Sequence, residues 1–184
     1  MRLASIHTYP VKGCHRVDQD SAAVEPWGLA GDRRWMLVDP DGIGVTQRDT
    51  PRLVRLRARV GDGGLTLRAE GRADLVVKEP TDGPVLPDVR VFRHKVPVPA
   101  RIADEAAAEW LGELVGRPVR LVWLGDPTVR AVDTRWAAPG DRVSFADGYP
   151  VLLANAASLD ALNDWLAGEG SAEGPLPVHR FRPN

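Results

Sequence analysis

The sequence predicts a mainly β chain with some α: a β-barrel-like N-terminal domain with one inserted helix over residues 1–124, a loop over 125–142, and the beginning of a second, α/β unit over 143–184. Three observations predict it. The 18 Gly and 16 Pro punctuate the 184 residues at short intervals without forming a low-complexity block, which keeps most regular elements short. Before residue 124 a single stretch, ADEAAAEWLGELVG at 103–116, has the density of helix formers that a helix needs. From Pro150 a strand-like run passes directly into helical spacing, and little chain remains to partner the apolar surface so created.

The elements follow in order. Residues 2–9 read as a strand, and 33–38 as another. The turn Asp39-Pro40-Asp41-Gly42 returns the chain through 43–47 as a hairpin. RLVRLRARV, 52–60, alternates basic and apolar residues at its end, from Arg55 to Val60, so one face is basic and solvated. Gly61-Asp62-Gly63-Gly64 turns this strand into LTLRA, and apolar runs recur at 75–77, 89–98 and 119–124. The helix at 103–116 carries acids in its first turn and ends at Gly116, with Pro118 two residues on. Residues 125–142 are polar and interrupted by Pro and Gly. Residues 150–154 read as a strand, Asn155 as a helix cap, and Leu159, Leu162 and Leu166 as the apolar stripe of a second helix.

Composition narrows the class. Hydrophobic residues make up 43% and charged residues 27%, the values of soluble globular proteins. With 24 basic and 25 acidic residues the net charge is −1, which disfavours non-specific attraction to nucleic acid or anionic lipid. Only Lys12, Lys78 and Lys95 are lysines, so the basic set is dominated by arginine, the bidentate partner of phosphate and carboxylate. The lone Cys14 excludes an intramolecular disulfide. The start MRLASIHTYPVKG has no apolar signal core, and no run approaches a membrane span of about 18 residues, so a cytoplasmic protein is expected.

No zinc-type Cys/His spacing, phosphate-binding P-loop, GxGxxG or GxSxG is present. His7, His15, His94 and His179 are dispersed, so no metal-ligand set is expected, and the six Trp are most simply core or interface residues. Three segments could carry chemistry. In YPVKGC, Lys12 could reach a phosphate and the Gly13 backbone could approach it closely, although the segment equally suits a strand end with a solvated Lys. Cys14 lacks a partner base and reads as an inert thiol. In GDRRWMLV, Arg33 and Arg34 point to opposite faces of a strand, so one can face a pocket, or both can be surface arginines beside a core Trp35. In HRFRPN, Arg180 and Arg182 share a face if extended, which suits either an oxyanion clamp or a basic tail.

Taken in order, YPVKGC, GLAGDRRWMLVDPDGIGVTQRDTPRLV, AEWLGELVGRPVRLV, DRVSFADGYPVLLANAASLDALN and FRPN resemble one family across essentially the whole chain. It is the molybdenum-cofactor family that joins an N-terminal β-barrel domain to a MOSC domain, the C-terminal domain type of molybdenum cofactor sulfurases. It includes the mitochondrial amidoxime-reducing components and their bacterial counterparts. The resemblance implies a molybdopterin-bound metal between the two domains, and an oxidoreductase that reduces small N-hydroxylated substrates with electrons from a partner redox protein. It implies that Lys12, Gly13 (where relatives often have Ser) and Arg33 contact the cofactor's phosphate, and that the Asp147-Gly148-Tyr149 turn lines the site. It implies further that Arg182 and Asn184 bind the pterin or its phosphate. Pyridoxal phosphate is also associated with the family, but no Lys here stands in a recognisable Schiff-base context.

In relatives the thiolate that ligates molybdenum lies downstream of FRPN. Cys14 matches a cysteine of the barrel motif instead, so no residue is expected to be catalytic or to bind the metal. The 143–184 segment is accordingly expected to be an incomplete MOSC domain. The alternative is a non-catalytic ligand-binding or interaction module that keeps the barrel. A nucleic-acid-binding barrel is disfavoured by the charge and by the lack of clustered aromatics among basic residues.

Overall fold

The computed structural model describes residues 2–184. Ile6–Thr8 (β1) pairs antiparallel with Val17–Gln19 (β2), and Val24–Glu25 (β3) with Gly28–Leu29 (β4). Next come Trp35–Val38 (β5), Arg57–Gly61 (β6), Gly64–Arg68 (β7), Leu75–Lys78 (β8), Val85–Val89 (β9), Val98–Ile102 (β10) and Arg120–Trp123 (β11). The helices are Glu105–Val115 (α1) and Ala156–Gly168 (α2). The mainly β, barrel-like architecture with one helix among the strands is the predicted one. No helix among the described residues is long and apolar enough to cross a membrane.

A four-stranded antiparallel sheet in the order β5-β11-β10-β9 forms the centre. Successive side chains of β5 and β11 feed two different cores. Trp35, Leu37, Leu121 and Trp123 pack with Leu111 of α1, while Met36, Val38, Val122 and Leu124 pack with Val89, Val98 and Phe145 on the other side. Both faces of these strands are therefore dry. A second sheet, β6-β7-β8, contributes Ala58, Leu65, Leu67 and Val77 to the α1 core. α1 begins at Asp104, whose carboxylate accepts from Ala107 N at 2.9 Å, and ends at Gly116 with φ +78°.

Contacts divide the chain into one unit up to Pro150 and another from Val151 to Asn184. In the second, α2 is capped by Asn155, whose side chain accepts from Ala157 N, and none of its residues is fully buried.

Several expectations are corrected. The first strand shortens to β1. The strand expected at 33–38 begins at Trp35, because Arg33 has left-handed backbone, φ +49°. The returning segment 43–47 makes isolated bridges at Ile43 and Gly44 and no strand. Pro51 starts a short 3₁₀ helix over Pro51–Arg55 that buries Leu53, so only 57–61 of the alternating run is extended. The apolar run 89–98 is mostly the connection between β9 and β10, turned where Lys95 N donates to Phe92 O. Residues 150–154 form no strand, and Leu152 exchanges hydrogen bonds with Asn184 instead.

Candidate anion-binding site

Lys12 leaves β1 on a turn whose backbone is tied to β5. Lys12 N donates to Trp35 O at 2.8 Å, and Cys14 N to Val11 O at 3.1 Å. Gly13 at φ +80° allows the turn, and a Cβ there would stand 2.7 Å from Leu53 Cδ2. Packing against Leu53, in addition to any ligand, thus calls for glycine. Arg33 is placed by two backbone bonds, its N–H to Tyr9 O and its C=O from Phe145 N, and the neighbouring Asp32 carboxylate accepts from Tyr9 N at 2.7 Å. Holding a non-glycine residue in left-handed backbone costs about 1–2 kcal/mol, which these bonds offset. Its guanidinium lies 4.6 Å from the Tyr9 ring and pairs with buried Asp32.

The third wall is 144–147. Buried Arg130 donates to the carbonyls of Ser144 and Ala146, fixing the loop that presents Asp147. The Asp147 carboxylate pairs with Lys12 Nζ, which also lies 5.1 Å over the Phe92 ring. The Lys12 side chain is 8% exposed and that of Asp147 67%, so a buried cation is met by a carboxylate at the surface.

Electrostatics follow from this layout. Burial pulls the Lys12 pKa down to about 8. Asp147 works against that shift, while Arg33 and Arg130 reinforce it. Burial likewise lowers Arg130 to about 10. For Asp147 burial acts upward, but Lys12, Arg33 and Arg48 outweigh it and hold the carboxyl below its ordinary range. Four cations, Lys12, Arg33, Arg48 and Arg130, thus share their field with two carboxylates, Asp32 and Asp147. The surplus of two positive charges, on donors drawn from separate segments, fits the phosphate dianion of a pterin cofactor.

Of the residues named from sequence, the fold brings Lys12, Arg33 and Asp147 together, with Gly13 and Gly148 beside them in the chain. Space beside the Gly148 Cα is open. The Tyr149 hydroxyl donates to Asp133 O at 3.3 Å. Arg182, at φ +54°, and Asn184, which binds the Leu152 backbone through both its N–H and its side-chain oxygen, belong to the second unit. Arg34 is no surface residue: its guanidinium donates to Leu124 O and Gly125 O and lies between the rings of Trp27 and Trp123. Cys14 is fully buried, its Sγ 3.8 Å from Lys12 O, as an inert thiol should be. Sequence reasoning missed Arg130, Arg48 and Phe92. Arg130 stands in a polar loop with no local signal, whereas Asp32, adjacent to Arg33, was readable as its counter-ion.

The chain is 33% identical to mitochondrial amidoxime-reducing component 1 of Homo sapiens, over 99% of this chain and 54% of that protein. It is 28% identical to the molybdenum cofactor sulfurase of Oryza sativa subsp. japonica, over 100% of this chain and 24% of that one. It thus spans about half the length of the amidoxime-reducing components it matches. A solution structure from Bordetella bronchiseptica aligns at 20% identity and TM-score 0.46, over 62% of this chain and 95% of that one. The model of the MOSC N-terminal beta barrel domain matches residues 1–118, which is most of the chain, and this protein belongs to that family.

Proposed function

We propose that the Lys12–Arg33–Asp147 cluster holds the phosphate of a molybdopterin-type cofactor, and that the chain serves a molybdenum-cofactor-dependent reductase of small N-hydroxylated compounds fed by a redox partner protein. The observation that carries this is a buried lysine beside two partly or wholly buried arginines, facing one exposed carboxylate. Family membership and the amidoxime-reducing and sulfurase relatives support it. When bound, the cofactor supplies a metal that exchanges the electrons of the reduction. The chain's own residues bind and orient it. Lys12 and Arg33 donate to the phosphate, Arg130 holds the 144–147 loop in place, and Asp147 keeps the ammonium of Lys12 aimed until an anion shares it. Gly13 and the Asp147-Gly148-Tyr149 turn are proposed as further contacts.

A charged contact to a phosphate is worth about 1.5–3 kcal/mol, so Lys12→Gln or Arg33→Gln lowers retained pterin about tenfold or more, while exposed Arg2→Gln leaves it unchanged. The measurement is pterin per chain by mass spectrometry, after purification from a host that makes the cofactor. Wild-type chain with pterin only at background overturns the reading.

A further inference from the structure

The four cations around the anion site are not equally committed. The Lys12 ammonium is held by the Asp147 carboxylate and lies over the Phe92 ring, the Arg33 guanidinium is held by Asp32 and lies over the Tyr9 ring, and Arg130 donates to the carbonyls of Ser144 and Ala146. Arg48 differs. Its backbone is fixed: Arg48 N donates to Thr46 Oγ1 at 3.2 Å, Thr46 N and Oγ1 both donate to the Asp49 carboxylate, and Thr50 N donates to Thr46 O at 2.9 Å. Gln47 stitches this loop to the Lys12 turn, its Nε2 donating to Gly13 O at 2.6 Å. The Arg48 side chain is exposed, and among the described residues its guanidinium has no hydrogen bond, ion pair or ring contact. Its field nonetheless reaches Asp147, where burial acts upward on the carboxyl and Arg48 acts with Lys12 and Arg33 in the opposite direction.

We propose that Arg48 is the outer arm of this site and the residue that selects a dianionic phosphate monoester over a monoanion of similar shape. The inference rests on the anion-site reading and adds a specificity residue to it. Charge carries the argument. Lys12, Arg33 and Arg130 against Asp32 and Asp147 leave one positive charge, which a monoanion balances, and Arg48 supplies the second. The other three cations already direct donors at protein oxygens, whereas Arg48 offers all five of its guanidinium N–H groups to a ligand. A fixed backbone beneath an uncommitted side chain lets that fork close on an oxyanion without disturbing the pairs below it.

The probes are phenyl phosphate and phenyl sulfate, titrated against the full chain by NMR at low salt and about pH 7, where the first is mostly a dianion and the second a monoanion. The wild type prefers the phosphate ester about tenfold. Arg48→Gln weakens the phosphate ester about tenfold and the sulfate ester about twofold, so the preference falls to about twofold. Arg48→Lys, which keeps the charge and loses the fork, holds the preference at about fivefold. Lys12→Gln weakens both esters, because its ammonium meets either anion, and exposed Arg2→Gln changes neither. If Lys12→Gln weakens both esters while Arg48→Gln weakens neither, or weakens both by the same factor, the role of Arg48 is overturned and the anion site stands. If the wild type binds neither ester, or Lys12→Gln binds both as the wild type does, the anion-site reading falls and this inference falls with it.

Discussion

Lys12 shows how one side chain trades stability for a site. Its pKa is about 8 in the folded chain against an ordinary 10.5, so between these values the unfolded chain holds the extra proton. The cost of burying the charge is fully present below pH 8 and is released as pH rises toward 10.5, about 3 kcal/mol in all. Denaturant titration at pH 7.5 and 10 should therefore find the wild type gaining on Lys12→Met as pH rises. A difference independent of pH would mean the amine is not buried as described. Residue by residue, legibility was uneven. Lys12, Arg33 and Asp147 came from ordered motifs, since nothing in their spacing reveals that 135 positions of chain fold back to join Lys12 to Asp147. The strand-face argument assumed that Arg33 and Arg34 share a strand, and the strand begins only at Trp35. A left-handed residue, not pleat alternation, turns the two apart, and Arg34 braces the Leu124 and Gly125 carbonyls rather than meeting solvent.

At the scale of elements, α1 was legible to within two residues because its signals are local: Asp104 before it, alanines within it, Gly116 after it. Asp104→Ala should cost about 1 kcal/mol by removing the acceptor for Ala107 N, and Leu111→Ala about 2–5 kcal/mol by opening a cavity in the larger core. Thermal melts of the two variants check both, and equal effects would show the cap to be tertiary rather than local. The run 89–98 misled because an apolar stretch does not say where it bends. Val89, Val91 and Val98 are all buried although only the first and last lie in strands. Pro87 inside β9 hid that strand, yet a register shift between Val98 and Ala100 accommodates it.

For the whole molecule, cohesion is uneven. The unit up to Pro150 holds three buried clusters, whereas α2 of the second unit buries no residue completely. Limited proteolysis should therefore cut within 151–184 first and leave a fragment that still melts cooperatively, whereas first cleavage at the Gly61–Gly64 turn would contradict this ordering. The barrel-like class was legible because turns are written locally; the strand order was not, since pairing partners are chosen by packing across the chain. That order also governs when the fold can form. β5 has no sheet neighbour but β11, and the segment from Val38 to Arg120 must be closed before they meet, an entropic barrier of about 4 kcal/mol. On the ribosome, Trp35 through Val38 has only its bonds to Pro10, Lys12 and the 44–45 segment until Trp123 has emerged. Because Arg130 and Asp147 follow β11 in the chain, the anion cluster takes shape only after that pairing partner has been made. Most of the synthesis time of this unit is thus spent with β5 not yet paired to β11, an interval in which its apolar side chains are open to aggregation.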